Sequence, residues 1–114
     1  MRLHAILSVP ISEQESFERH WAETKKVIQL ERGNVLTHDS YKQSGSEKIL
    51  LVEAYKSEEA LLSHLALIQE ISEEYPYTSI FHQVQLAGCY SKSTIQILQS
   101  AMPGTHIIYF DQQL

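Results

Sequence analysis

Leu3, Ala5, Leu7 and Val9 alternate with His4, Ile6 and Ser8, the two-residue period of a β-strand, and Pro10 stops it. Ser12, with Glu15 three residues later, has the capping-box pattern that opens a helix. Phe17, Trp21, Thr24 and Ile28 fall on one stripe of that helix, and Gly33 places its end near Arg32. Residues 34–42 read as a second strand, although His38 and Asp39 are poor strand formers. The turn Ser44-Gly45-Ser46 leads into a third strand over 48–55, and the short loop makes the two an antiparallel hairpin. Ser57 ahead of Glu58 and Glu59 caps a second helix, whose apolar face is Leu61, Leu62, Leu65, Ile68 and Ile71 and which Tyr75-Pro76 ends. Residues 81–90 read as a fourth strand, with His82, Val84 and Leu86 on one face and Gln83 and Gln85 on the other. Ser91 caps a short helix through Ser100, and after the turn at Pro103-Gly104 residues 105–110 form a last strand.

The order β-α-β-β-α-β is that of a ferredoxin-like α+β domain with an antiparallel sheet, here followed by an extra C-terminal α-β. With neither repeat nor linker, residues 1–114 form one domain. Right-handed crossovers put both helices on one face of the sheet and leave the other bare. We assign His4, Ile6 and Ser8 to the helix side, so the uniformly apolar set of strand one is exposed. A second copy of the chain or the C-terminal segment must then cover it, and a homodimer through the sheet is the first expectation. The C-terminal segment is itself too apolar for a solvated tail, with Ile95, Leu98, Ile107, Ile108, Tyr109 and Phe110.

Charge narrows the partners. Nine Lys and Arg against 14 Asp and Glu leave a net charge of −5, and the densest basic run is Lys25-Lys26. No cationic patch for a phosphate backbone exists, so no nucleic acid partner is expected. The longest aliphatic run, Ile49 to Val52, is far short of the ~20 residues that span a bilayer. The apolar stretch after Arg2 is broken by His4, Ser8 and Pro10, unlike a targeting segment. A single cysteine, Cys89, allows no internal disulfide. We read it as a small buried hydrophobe. These features predict a cytoplasmic protein off the membrane. The six histidines show no H-x-x-x-H spacing, so no metal site is expected from local motifs, and no phosphate-cradling loop or G-x-S-x-G is present.

Two segments carry a family resemblance. Glu31-Arg32-Gly33 closes helix one, and Lys48 to Tyr55 is followed by Lys56-Ser57-Glu58-Glu59-Ala60-Leu61-Leu62-Ser63-His64-Leu65. This resembles the antibiotic biosynthesis monooxygenase family: an acid-x-Gly, then an aliphatic strand with Glu53, an aromatic at Tyr55 where the family usually has Trp, Ser57, Ala60-Leu61 and His64. The resemblance spans about residues 3 to 90 and implies a dimeric α+β barrel. It also implies a small aromatic ligand between helices and sheet, and oxidation of phenols or quinols by O2 with neither metal nor flavin. A haem-degrading branch uses an Asn, a Trp and a His at places that hold His4, His64 and Glu74 here. All three depart from that branch, so haem is not expected.

His64 and His4 are the candidate catalytic residues. An imidazole titrates near neutral pH and can take a phenolic proton. The bland alternatives are a partly exposed helix histidine for His64 and a satisfied core histidine for His4. Trp21, Tyr41 and Tyr55 are candidate walls of a substrate pocket, each also able to serve as plain core. Glu53, an acid in an aliphatic strand, needs a partner or solvent, and cross-strand His38 is the simplest partner. The expected function is a cofactor-independent monooxygenase acting on a small aromatic molecule or quinol with O2. The alternative is a non-catalytic dimeric barrel that binds a small apolar ligand or serves only in self-assembly. Convergence of His4 and His64 on one cavity would favour chemistry.

Overall fold

The computed structural model describes every residue except Arg32. It contains five strands and three α-helices in the expected order. These are β1 (Arg2–Ser8), α1 (Gln14–Leu30), β2 (Val35–Lys42), β3 (Lys48–Tyr55), α2 (Glu58–Glu74), β4 (Ile80–Ala87), α3 (Lys92–Ala101) and β5 (His106–Phe110). The strands form one open sheet in the order β2-β3-β1-β4-β5. β1 is antiparallel to both β3 and β4, while β5 joins β4 in parallel through α3. The chain is a ferredoxin-like α+β domain with a C-terminal α-β extension that widens its sheet.

The helix boundaries follow capping chemistry where a cap forms. Ser57 accepts the Ala60 N–H and Ser91 accepts the Thr94 N–H, so α2 and α3 begin where a hydroxyl satisfies an orphan donor. The Ser12–Glu15 capping box does not form. A short 3-10 turn over Ile11–Glu13 precedes α1 instead, and the Ile11 N–H donates to Glu47 Oε2 at 2.8 Å across the hairpin loop. At its other end α1 stops at Leu30, and Gly33 takes the positive φ of 79° that the turn into β2 requires. The expected end near Arg32 falls outside the described residues.

Register decides which side of each strand is covered. Leu3, Ala5 and Leu7 pair with Glu53, Leu51 and Ile49 on one side and with Leu86, Val84 and Phe81 on the other. This is the face under the helices, where Leu7, Leu61, Leu86 and Leu98 are wholly buried, each worth about 1.5–3 kcal/mol of transfer free energy. The sequence assignment of His4, Ile6 and Ser8 to the helix side is therefore reversed: the uniformly apolar set of β1 faces the helices. The physical reason is ordinary, since the more apolar half of an alternating strand belongs with the larger buried surface. The open face is mixed, carrying His4, Ile6, Leu50, Tyr41 and Gln85.

Two further details differ. A register shift between Ile6 and Leu7 puts both Phe81 and Val84 on the helix side, so His82 leaves the face of Val84 and Leu86. Its Nε2 instead meets the Ser8 hydroxyl at 2.6 Å. β4 ends at Ala87, and Cys89 lies exposed in the loop beyond rather than buried. The C-terminal segment packs on its own chain: α3 buries Thr94 and Leu98 against the helix face, and β5 pairs with β4. Among the described residues no helix is long and apolar enough to cross a membrane.

Candidate active site

Between the helix layer and the sheet the core is interrupted by polar side chains. α1 buries His20 and Thr24 beside Phe17, on the i, i+3, i+7 stripe of the helix. β2 and β3 present His38 and Glu53, which are register partners on the helix-covered face. α2 brings His64 down onto them, only 1% exposed, with Ala60, Leu61 and Ile71 on the same buried side. The end of α1 contributes Glu31, also buried.

These groups form a chain of contacts. His64 Nδ1 is 2.9 Å from Glu31 Oε2, and His64 Nε2 is 3.2 Å from His38 Nε2. His38 Nε2 is in turn 3.7 Å from Glu53 Oε1, the oxygen to which the Tyr55 hydroxyl donates. The carboxylate of Glu31 accepts the Nδ1 proton of His64, which leaves Nε2 of that ring with its lone pair. His38 then donates from Nε2, and its Nδ1 has no hydrogen-bond partner among the described residues. The His38 ring lies flat against Trp21, centroids 4.6 Å apart.

Burial sets the charge states. It holds the His38 imidazole far below its ordinary value, at about 3, assisted by repulsion from His64 and Lys25. Burial also pushes the Glu53 carboxyl above the usual carboxylate range, against the Tyr55 hydrogen bond and the attraction of His64. A neutral imidazole beside a carboxyl that resists ionising is not an ion pair, so the 3.7 Å contact is a polar contact only. Tyr55 is likewise held in its neutral phenol form by burial and by the neighbouring Glu53. Burial lowers His20 too, partly offset by its hydrogen bond to the Tyr75 carbonyl.

A cavity of about 120 Å³ opens on this cluster, walled by His20, His38, Glu53 and His64 and by apolar residues that include Trp21 and Leu98. A second hollow of about 260 Å³ lies between α1 and the β2–β3 hairpin, toward Gln14 and Lys42, and shares Phe17 and Trp21 with the first. Of the residues expected from sequence, His64 and Trp21 line the inner cavity, and Tyr55 stands beside His64 with ring centroids 5.3 Å apart. His64 is not the partly exposed helix histidine of the bland reading but is enclosed. His4 and Tyr41 are elsewhere: both project from the open face, and Tyr41 is 58% exposed. His4 and His64 do not converge.

Sequence reasoning paired Glu53 with His38 and met Glu31 only as part of a helix-end motif, but missed His20, the contact of Glu31 with His64 and the meeting of His38 with His64. His20 was within reach, because it lies on the same helical stripe as Phe17 and Thr24. The contact of Glu31 with His64 joins residues 33 apart in the chain, and no local period announces it.

No family model and no curated protein matches the sequence. Solved structures do. The chain superposes on MupZ from Pseudomonas fluorescens with a TM-score of 0.73 at 16% identity, over 99% of this chain and 89% of that one. A structure titled antibiotic biosynthesis monooxygenase matches 71% of this chain and 95% of its own length, with a TM-score of 0.55 at 12% identity. A putative antibiotic biosynthesis monooxygenase from Nitrosomonas europaea matches 72% and 96%, with a TM-score of 0.50 at 14% identity. The chain has the antibiotic biosynthesis monooxygenase fold. At these identities the likeness is one of backbone architecture. The monooxygenase fold covers about seven tenths of the chain, whereas the likeness to MupZ extends over nearly all of it and so includes α3 and β5.

Proposed function

We propose that this protein is a cofactor-independent monooxygenase that oxidises a small phenol or quinol with O2 in the cavity beside His64. One observation carries the reading: a buried His64 whose Nδ1 is held by Glu31, whose Nε2 lies 3.2 Å from His38, and which lines the inner cavity. That arrangement is an oriented base. Glu31 fixes the tautomer and stabilises the imidazolium that forms when Nε2 takes a proton. The monooxygenase-like fold supports it as analogy.

In this reading His64 deprotonates the substrate, and the resulting anion is electron-rich enough to give an electron to O2. The oxygen then bonds to a ring carbon as a hydroperoxide, which loses water. The product carries one added oxygen and two fewer hydrogens, the second oxygen leaves as water, and the electrons come wholly from the substrate. The protein supplies the base, a dry site and orientation. A cavity of about 150 Å³ accommodates benzene, so the inner cavity, at about 120 Å³, takes only part of an aromatic substrate. Trp21 and Phe17 place a larger substrate partly in the adjoining hollow. His4 has no part in this proposal.

The working unit in this reading is a homodimer joined through the open face, where Ile6, Leu50 and Tyr41 are exposed. The single cysteine is consistent with the cytoplasm as its compartment. The test is O2 uptake with a panel of quinols and anthrone-like phenols in the presence of a chelator. Turnover by the wild type and a fall of about 10²–10⁴-fold in His64→Gln are expected, with His4→Gln within a factor of a few. No uptake with any member of the panel, or full activity in His64→Gln, would overturn the proposal.

A further inference from the structure

Three of the buried groups have a property that a single oriented base does not require. His38 Nε2, His64 Nε2 and a carboxylate oxygen of Glu53 all lie within 4.8 Å of one another, on three separate elements. A transition-metal ion bound at about 2.0–2.2 Å by nitrogen and oxygen ligands holds them roughly 3–3.5 Å apart. The two imidazole nitrogens are already 3.2 Å apart, and the carboxylate is 3.7 Å from the nearer. We propose that His38, Glu53 and His64 form a binding site for a divalent first-row transition-metal ion of the zinc or iron(II) type.

The surroundings fit that assignment. His64 donates its Nδ1 proton to Glu31, the carboxylate–histidine arrangement that fixes the tautomer of a metal ligand and raises its basicity. Tyr55 donates to the oxygen of Glu53 that faces His38 and so fixes the orientation of that carboxylate. Both strand ligands sit at register-paired positions of a hairpin, and the third on a helix packed over them, so all are held by rigid elements. Two imidazoles with one carboxylate select a transition ion over Mg²⁺ or Ca²⁺, which take oxygen ligands. All three residues line the inner cavity, so the remaining coordination positions lie on its side. The site goes beyond the oxygenation proposed above and constrains it, because a bound metal takes the Nε2 lone pair of His64 that the base needs and requires His38 to carry its proton on Nδ1, the atom without a partner among the described residues, instead of Nε2.

The experiment reads binding without any substrate, so its outcome is separate from whether O2 uptake is found. Co²⁺ is titrated into the chelator-stripped full-length protein, and its visible absorption is followed, then displaced with Zn²⁺. One equivalent is expected to saturate the spectrum. Glu53→Gln, which keeps the shape and the Tyr55 contact, and His38→Gln should each lose that saturation. Glu31→Gln should weaken affinity by about 10–100-fold through the His64 ring. Melting curves verify that each variant is folded, and if His38→Gln is not, Glu53→Gln decides alone. Absence of saturable binding by the wild type overturns the proposal. So does binding that survives in Glu53→Gln, which would place the ion on surface histidines such as His82 or His106.

Discussion

His4 and His64 stand on opposite sides of the same sheet, and the contrast between those sides organises the molecule. Under the helices, Leu3, Ala5 and Leu7 of β1 meet a buried layer in which five polar groups, Glu31, His38, Glu53, Tyr55 and His64, find one another. On the open side the same strand shows His4, Ile6 and Ser8 beside Leu50 and Gln85, half-covered and with few partners. A histidine in the first setting is held in place and desolvated. In the second it is a surface residue on a pleat. Two residues of one type, both plausible bases by chemistry, are separated by which face a two-residue period assigns them.

The largest separation should appear in packing. Leu7→Ala removes a fully buried side chain and should cost about 3–5 kcal/mol, whereas Ile6→Ala, 36% exposed, should cost about 1 kcal/mol or less. Urea unfolding of both variants checks the face assignment directly, and equal losses would break it. Next in size are the histidines themselves. His64→Ala leaves the Glu31 carboxylate buried without its donor and should cost about 2–4 kcal/mol. His4→Ala should stay under about 1 kcal/mol. A His64→Ala variant as stable as the wild type would mean that water reaches Glu31.

Why some of this could be read from the sequence and some not follows from range. The strands, the hairpin and helices α2 and α3 rest on local rules, a period, a turn or a capping hydroxyl at Ser57 and Ser91, and those rules hold in the fold. Ser12 satisfies the same rule and yet makes no cap: a 3-10 turn over Ile11–Glu13 precedes α1 instead, with Glu47 from the hairpin loop accepting the Ile11 N–H. The side of β1 that faces the helices was inverted, since alternation fixes two faces without saying which is inner. The cluster of His38, Glu53 and His64 is assembled from three elements, so its spacing in the chain carries no ligand motif. Only the His38–Glu53 part was within reach, through hairpin register. Family resemblance pointed to Glu31 and His64 separately, and the fold joins them.

Acid should weaken the helix side through His38. With an unfolded value of 6.5 and a folded value of about 3, the unfolded chain takes up a proton at this residue that the folded chain refuses. Stability therefore falls as pH drops below 6.5, at about 1.4 kcal/mol per pH unit, or on the order of 2 kcal/mol by pH 5. His20, also lowered, acts in the same direction. Glu53 acts in the opposite direction: its raised folded value stabilises the protein below the ordinary carboxylate range and is lost as pH rises. Comparing melts of wild type and His38→Gln from pH 7 to 5 isolates the one contribution. The variant should lose less stability over that interval, and an unchanged pH dependence would show that residue 38 is solvated in solution.

The smallest effect on the chain itself belongs to the open face, and there the readout is assembly. Ile6, Leu50 and Tyr41 form one row across the open face, with half-buried Val52 in the next row beside His4. Polar His4, Gln83 and Gln85 interrupt that surface, so it lacks the unbroken apolar character that would force burial. What favours a homodimer is the apolar strip of Tyr41, Leu50 and Ile6 across β2, β3 and β1, which a second copy related by a two-fold axis would match with itself. A stable contact of that kind buries roughly 1,200 Å² or more. Light scattering at micromolar concentration should then give twice the chain mass of 13.1 kDa. Leu50→Glu should return it to one chain, while changing the stability of the isolated fold by no more than about 0.5 kcal/mol, as expected for an exposed site. A wild-type species of 13.1 kDa would leave the open face as ordinary surface. The comparison between the two sides of the sheet would then be one of core against solvent rather than of core against interface.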